Sequence, residues 1–430
     1  MGYRIFFFCH SAGLLDRDLH NAFCEAGAEV HMEEINFFHT PEGHLAEAYN
    51  FEDIAQKIRN FRPDFVFSIE GHGQDIEGTF SRMYAILGIP YVTWFADEPP
   101  LVDGWGNRYC PENSLFLIFD EAYMPDVRTL GFSNIEVLPL GTNTKRWSIE
   151  VEGHDKKPFA VENISFVGKL ATNQVKYLID NLKNYWPELE PEIIDSATNN
   201  FINHTNKGIE WALEKNLSVN GRVLSRPSEV AWKLAGSLIE RKASLVNQVN
   251  HISELLSLGI AVYGDDEWKS YIDPKYVRET IDYYGQQIRD VYRFSKINLN
   301  ISKFQLLTTV NQRVFDVPAA SGFLLTDFRP KLEDFFAIDK EELKRKSIYY
   351  LEHEKERLRV IERAKERILK EHDYSLRIKK LLLWVARLRC SELYRRFADN
   401  IKTDKNFEAV RKNLSLTEET DNTDRLLKTV

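Results

Sequence analysis

Twice along the chain, short unbroken apolar runs alternate with stretches of helical spacing, and this restricts the available folds more than any other feature. In the first third, residues 4–8, 29–32, 63–69, 90–95, 114–119 and 135–138 read as strands. Helical patterns fall between them at 14–26, 51–60 and 79–87, the first closed by Gly27 and the third by Gly88. Strands that are apolar throughout, separated by helices, predict a parallel sheet covered on both faces. The alternation restarts at residues 163–168 and returns at 260–263, 297–300 and 322–326. Between these lies a mostly helical stretch, with patterns at 173–185, 207–214 and 227–256.

A chain of 430 residues exceeds one ordinary core and suits two domains. The expected organisation is an α/β chain with two Rossmann-like domains, at 1–150 and 151–372, the second carrying a helical elaboration at about 170–257. A basic amphipathic helix at 373–398 and a polar tail at 399–430 follow. Leu381, Leu382, Leu383, Val385 and Leu388 read as the core-facing side of that helix.

Composition excludes several classes. The hydrophobic share of 43% and charged share of 28% are those of a globular chain, and a net charge of −9 opposes general nucleic-acid binding. Cys9, Cys24, Cys110 and Cys390 form no CxxC pair and no zinc spacing, which fits reduced thiols. The apolar run at 5–8 is too short for a signal sequence, and no apolar stretch is long enough to span a bilayer. Phe6 stands where a myristoylation signal wants Ser or Thr. These readings together point to a cytoplasmic protein.

In open α/β sheets ligands bind beyond the carboxyl ends of the strands. In the first domain that places His10, Gly13, Glu70, His72, Asp97 and Glu98 in view; in the second, Gly168, Lys169, Gly264, Asp265, Ser302 and Asp327. Gly168-Lys169 would bring backbone amides and a charge to a diphosphate, or would be a left-handed turn with a surface lysine. The stretch from Asn311 to Gly322 reads as a short helix leading into a strand, with Asn311 and Arg313 near its start. Arg313 there would hold a diphosphate and Asp316 a sugar or ribose hydroxyl. Alternatively, Arg313 and Asp316 form an ion pair on a solvated face. His72 between two glycines, or Asp97 after an aromatic strand end, would serve as a general base. The rival readings are a loop histidine and a capping or solvated carboxylate.

No Walker loop, GxGxxG, GxSxG or strand-embedded Asp-x-Asp is present. That weighs against NTP hydrolysis, nicotinamide or flavin oxidoreduction and α/β-hydrolase chemistry. Asp265-Asp266-Glu267 has the wrong arrangement for a metal site, and none is expected.

Tyr284-Gly285 through Tyr292, residues 295–300, Gln312-Arg313-Val314-Phe315-Asp316 and residues 320–327 resemble the spore-maturation CgeB-like glycosyltransferases, which are group-1 enzymes of GT-B fold. Tyr349-Tyr350-Leu351, Glu356-Arg357, His372, Tyr374 and Arg377 continue the resemblance, as do residues 90–99 and 134–141 in the first half. It covers most of the chain except about 170–255 and the tail. The resemblance implies two domains facing across a cleft. It places Gly168, Lys169, Tyr284, Asn311, Arg313 and Asp316 at a nucleotide-sugar donor, and His10, Gly13 and Glu98 on the acceptor side. Asp316 stands where the family usually carries Glu, and Ala337-Ile338-Asp339 replaces its Gly-Lys-Glu-type turn.

The function expected is transfer of a sugar from a nucleotide sugar, a UDP-sugar foremost, to an unidentified acceptor hydroxyl, with Asp97 or His72 as base and neither metal nor other cofactor. Two other classes compete: a non-catalytic nucleotide- or sugar-binding protein of the same fold, and a Rossmann oxidoreductase. The basic helix would brace the two domains, touch anionic lipid, or bind a partner, in that order.

Overall fold

The computed structural model describes residues 2–10, 13–39, 45–75, 77–97, 99, 109–148, 158–170, 172–219, 222–335 and 343–391. Glu98, Ala337-Ile338-Asp339 and the tail lie outside the described residues. The chain divides into two compact units: Met1–Thr144 with Lys370–Val430, and Lys145–Leu369.

In the first unit, strands β1 (Arg4–Cys9) and β2 (Glu29–Glu34) precede a hairpin of β3 (Asn36–His39) and β4 (Leu45–Ala48). Strands β5 (Phe65–Ile69), β6 (Tyr91–Phe95), β7 (Ser114–Ile118) and β8 (Ile135–Val137) follow. They form a six-stranded sheet in the order β2-β1-β5-β6-β7-β8, and every pairing is parallel. The chain winds one way from β1 to β2 and then crosses to β5 on the other side of β1. The β1/β5 boundary is therefore the switch point where such sheets open a crevice. Helices α1 (Leu14–Glu25), α2 (Phe51–Phe61), α3 (Thr79–Ile86) and α4 (Met124–Thr129) connect the strands. Phe6, Phe7, Phe8, Phe65, Phe67 and Trp94 are fully buried, as expected of strands covered on both faces.

Helix α5 (Thr144–Ser148) lies at the boundary between units. The second unit contains β9 (Ile164–Val167), β10 (Ser218–Val219), β11 (Arg222–Val223), β12 (Ile260–Tyr263), β13 (Val277–Arg278), β14 (Ile297–Asn300) and β15 (Leu324–Thr326). Its five-stranded parallel sheet runs β13-β12-β9-β14-β15, so its switch point lies between β9 and β14. The two Rossmann-like α/β units read from the sequence are thus present. Helices α6 (Thr172–Tyr185), α7 (Pro191–Asn203), α8 (Gly208–Asn216) and α9 (Glu229–Leu255) carry their own core around Trp186, Phe201 and Trp232. Helices α10 (Gln286–Phe294), α11 (Arg313–Ala319), α12 (Leu332–Phe335), α13 (Leu343–Glu352) and α14 (Glu354–Glu371) complete that half.

Helix α15 (Tyr374–Cys390) returns to the first unit and packs on α1. Leu381, Val385 and Leu388 are buried at helical spacing, but Leu383 is 65% exposed. The core-facing assignment of Leu383 is thereby corrected: two residues advance the helix about 200°, turning Leu383 away from the face of Leu381. Among the described residues no helix is long and apolar enough to cross a membrane.

Asp373 caps α15 by accepting from the Ser375 amide (2.8 Å), and it also accepts from the amide (3.0 Å) and hydroxyl (2.5 Å) of Thr144. Burial opposes its charge, but the hydrogen bonds from Ser375 and Thr144 outweigh that and hold the carboxyl below its ordinary value of 3.8. A depressed carboxylate contributes stability above its unfolded pKa and loses it as pH falls through the folded value. Asp373→Ala is expected to cost about 1–2 kcal/mol at neutral pH, the worth of a good cap. The difference from wild type should shrink below about pH 4, as followed by urea melts across pH.

Candidate functional site

In the second unit the residues following β9 and β14 meet at the switch point. β14 ends in Asn300, which is fully buried. Its Oδ1 accepts from Arg313 Nη1 (2.7 Å) and Asn311 Nδ2 (2.9 Å), while its Nδ2 donates to Thr326 Oγ1 at the end of β15 (2.9 Å). The Arg313 guanidinium lies 5.7 Å from the Phe166 ring centroid. Two polar atoms of this cluster, Arg313 Nε and Asn311 Oδ1, are buried without a hydrogen-bond partner. Such atoms carry a desolvation cost that an incoming ligand relieves.

Gly168 follows β9 beside them. A Cβ there would lie 2.9 Å from the Phe166 ring and 3.7 Å from Arg313 Nη2. Its N–H donates to the Tyr263 carbonyl (3.0 Å) and its carbonyl accepts from Trp268 Nε1 (2.9 Å). Gly168 is not among the residues of positive φ, so the left-handed-turn reading is corrected. Its backbone polar groups are already paired, and it supplies room rather than a hydrogen bond. Lys169 beyond it is exposed.

Asp316 does not lie on a solvated face. It is buried, accepts from Trp147 Nε1 (3.1 Å) and lies 3.6 Å from Arg146 Nη2. The solvated-face pair with Arg313 is corrected accordingly: one turn of α11 carries Asp316 into the protein. Arg146 stacks on Trp147 (4.2 Å) and on Tyr284 (4.8 Å), which fixes the Tyr284 ring. Sequence reasoning passed over Arg146, Trp147 and Asn300. Only Asn300 carried a signal, a polar residue closing an apolar strand.

The chain after β14 is tied to the helical elaboration. Buried Glu240 on α9 accepts from Ser244 Oγ (2.7 Å) and the Gln305 amide (2.9 Å), and Ser244 Oγ accepts from the Phe304 amide (2.9 Å). The helical stretch thus fixes a loop that borders the site.

In the first unit the β1/β5 switch point gathers ionisable groups. His10 follows β1, and its amide donates to buried Asp16 (3.2 Å) at the start of α1. A Cβ on Gly13 would run into the Asp16 carboxylate. Burial raises the Asp16 pKa, while its bonded His10 amide and the nearby His72 and His10 imidazoles lower it. Glu70 follows β5, and its Oε1 accepts from the amides of Ala96 (2.7 Å) and Asp97 (2.9 Å) beyond β6. Asp97 itself is exposed. Gly71 and Gly73 both adopt left-handed conformations (φ +79° and +80°), with Tyr109 and Phe8 respectively filling the space a Cβ would need. His72 sits between them, half-buried, its carbonyl accepting from Tyr91 Oη (2.6 Å).

Residues 241–383 match the glycosyl transferase-like family. That segment holds β12, β14, Asn300, Asn311 and Arg313 of the candidate site. No curated protein matches the chain. Among solved structures, the chain is similar to sucrose-phosphate synthase from Thermosynechococcus elongatus, at 10% identity and TM-score 0.41, covering 88% of this chain and 98% of that one. It is also similar to an α,α-trehalose-phosphate synthase (UDP-forming) from Burkholderia xenovorans, at 11% identity and TM-score 0.43, covering 89% and 100%.

Asn300→Ala is expected to strand the guanidinium of Arg313 and the amide of Asn311. Calorimetric titration with UDP should show about tenfold weaker binding, one charged hydrogen bond's worth.

Proposed function

We propose that the chain is a glycosyltransferase of the GT-B type and of the CgeB-like group, and that it binds the diphosphate of a nucleotide sugar at the β9/β14 switch point. One observation carries this reading: Arg313 is held at that point by fully buried Asn300, with its Nε buried and unpaired and its Nη2 beside the bare Cα of Gly168. A guanidinium so fixed presents a planar fork suited to phosphate oxygens. The match of residues 241–383 to the glycosyl transferase-like family supports the reaction class.

In this reading a UDP-sugar is the donor, and Arg313 and Lys169 meet the charge that grows on the departing diphosphate. Side-chain cations do this in place of a resident metal. Tyr284, fixed by Arg146, and Asn311 with its free Oδ1 border the donor. Asp316 acts on the site from behind, through Trp147 and Arg146.

A thermal-shift series with UDP, GDP and ADP and their glucose conjugates tests the donor. A ligand at 100 times its Kd stabilises by about 2.7 kcal/mol, so a clear rise in melting temperature is expected for UDP and UDP-glucose. Equal, negligible shifts with every nucleotide would contradict the donor assignment.

A further inference from the structure

We propose that Glu240 is a positioning residue for the diphosphate site: it holds the segment between β14 and α11 so that Asn311 meets the ligand, and the helical elaboration thereby sets how tightly a nucleoside diphosphate is bound. The proposal deepens the donor reading and rests on it. Every group it uses belongs to the second unit.

Residues 301–310 leave the site and come back to it. They start beyond Asn300 and end at Asn311, and there Asn311 Nδ2 donates to Asn300 Oδ1 (2.9 Å). The two limbs and the tip of this segment are anchored separately. On the outgoing limb the Ser302 amide and hydroxyl both donate to Asp327 Oδ1 (2.9 Å each). On the returning limb the Thr308 carbonyl accepts from the Lys331 amide (2.8 Å). The tip, Phe304-Gln305, is held from α9.

Glu240 is the centre of that grip. It is 3% exposed, and its Oε1 accepts from the Gln305 amide and from Ser244 Oγ, an oxygen that in turn accepts from the Phe304 amide. Neighbouring Arg241 donates from Nη1 to Gln305 Oε1, and its Nε lies 3.4 Å from Glu240 Oε2. The Phe304 ring packs edge-on against Phe201 of α7, with centroids 5.2 Å apart, and joins the core of the helical stretch. Two successive backbone amides, one side-chain amide and one ring of the tip are thus all fixed by these helices.

Packing alone does not ask for this carboxylate. Burying a charge costs stability, and the best-attested use of a buried ionic group is to select one arrangement among several. Leu238, Ile239 and Ala243 around it belong to a close-packed core, so the carboxylate keeps its place unless the helices move. Helices α6, α7 and α8 and the start of α9 precede the segment at 241–383 that matches the glycosyl transferase-like family, so the grip is supplied largely from outside that segment. Its target is Asn311, at the end of the returning limb, whose buried Oδ1 has no hydrogen-bond partner. A binding group keeps its affinity only while the residues behind it hold it to about 0.5 Å.

Calorimetric titration with UDP tests the role. Glu240→Ala removes the acceptor and should weaken UDP about fivefold, the worth of one neutral hydrogen bond. Glu240→Gln keeps an oxygen for both donors and should stay within about twofold of wild type. Asn311→Ala should also weaken UDP about fivefold. Adding Glu240→Ala to it should change the affinity less than about twofold more, because residues acting through one contact are not additive. Ile194→Val lies in the same helical core, about two turns of α7 from Phe201. It should lower the melting temperature and leave UDP affinity unchanged. If Glu240→Ala folds poorly, Ser244→Ala, which strands the Phe304 amide, carries the same comparison with an expected loss of about threefold. Folded Glu240→Ala or Ser244→Ala with the wild-type Kd for UDP would overturn the positioning role and leave the donor site standing. So would Glu240→Gln as weak as Glu240→Ala, equal weakening by Ile194→Val, or full additivity with Asn311→Ala. A wild type that does not bind UDP would overturn the donor reading, and this role for Glu240 with it.

Discussion

Arg313→Ala should weaken UDP and UDP-glucose binding about 100-fold or more, with little change in melting temperature. The size follows from the geometry. Arg313 is held by Asn300 and packs near Phe166, while its Nε remains buried and unpaired. Two charge-assisted hydrogen bonds to a diphosphate are worth about 3 kcal/mol together, or about two powers of ten in Kd. The free protein loses one bond to Asn300 and gains relief from a buried unpaired donor, so its stability changes little. Arg313→Lys should recover only part of the affinity, because a point charge does not reproduce the fork. Calorimetric titration measures both variants directly. Unchanged affinity in Arg313→Ala would remove Arg313 from the donor site.

The largest effect on stability is expected at Arg377. This guanidinium is buried and donates to the carbonyls of Pro139 (3.0 Å), Leu140 (3.1 Å) and Glu371 (3.3 Å), and it lies 3.1 Å from His372 Nδ1. It therefore ties the returning helix α15 to the segment that ends the first unit's sheet. Beside it, the Thr142 amide donates to the His372 carbonyl (3.0 Å) and the Tyr374 amide to the Thr142 carbonyl (2.9 Å). Arg377→Met keeps much of the volume but strands several carbonyls away from water. The cost should be about 3 kcal/mol or more, read as a fall in the urea midpoint of the first unit. A midpoint within error of the wild type would mean that this clamp contributes nothing to holding α15.

The sheets were legible because buried parallel strands are apolar from end to end. Residues 260–263 and 297–300 correspond to β12 and β14 without shift. Ends were less legible where glycine follows a helix. The pattern at 14–26 runs into the cap, and α1 stops at Glu25, with Gly27 beyond it at φ +84°. Helix α7 escaped notice: Pro191 begins it, and proline marks a first turn as readily as a loop. The hairpin of β3 and β4 had no expected counterpart, because two strands of four residues pairing only with each other make a weak pattern.

At the site, sequence position identified the right strand ends but not the division of labour. Arg313 and Gly168 meet because β9 and β14 are neighbours, a fact of topology that spacing along the chain does not carry. Asp316 was expected to face a ligand or Arg313. The partners that occupy it, Arg146 and Trp147, lie 169 residues or more away in sequence. Glu70 belongs to the same strand-end stretch as His72, while the base is expected at Asp97 or His72. The positive φ of Glu70 and the two amides that its carboxyl accepts from the chain beyond β6 exist only in the fold.

The central claim is that the carboxyl edge of the second sheet, at the β9/β14 boundary, is where a nucleoside diphosphate binds. Hydrogen exchange of the full chain with and without saturating UDP, read peptide by peptide, tests it most directly. The account predicts protection concentrated in peptides covering residues 164–170 and 297–316, and its disappearance in Arg313→Ala. Protection confined to the first unit, or none in either segment at a UDP concentration shown to saturate binding, would contradict it.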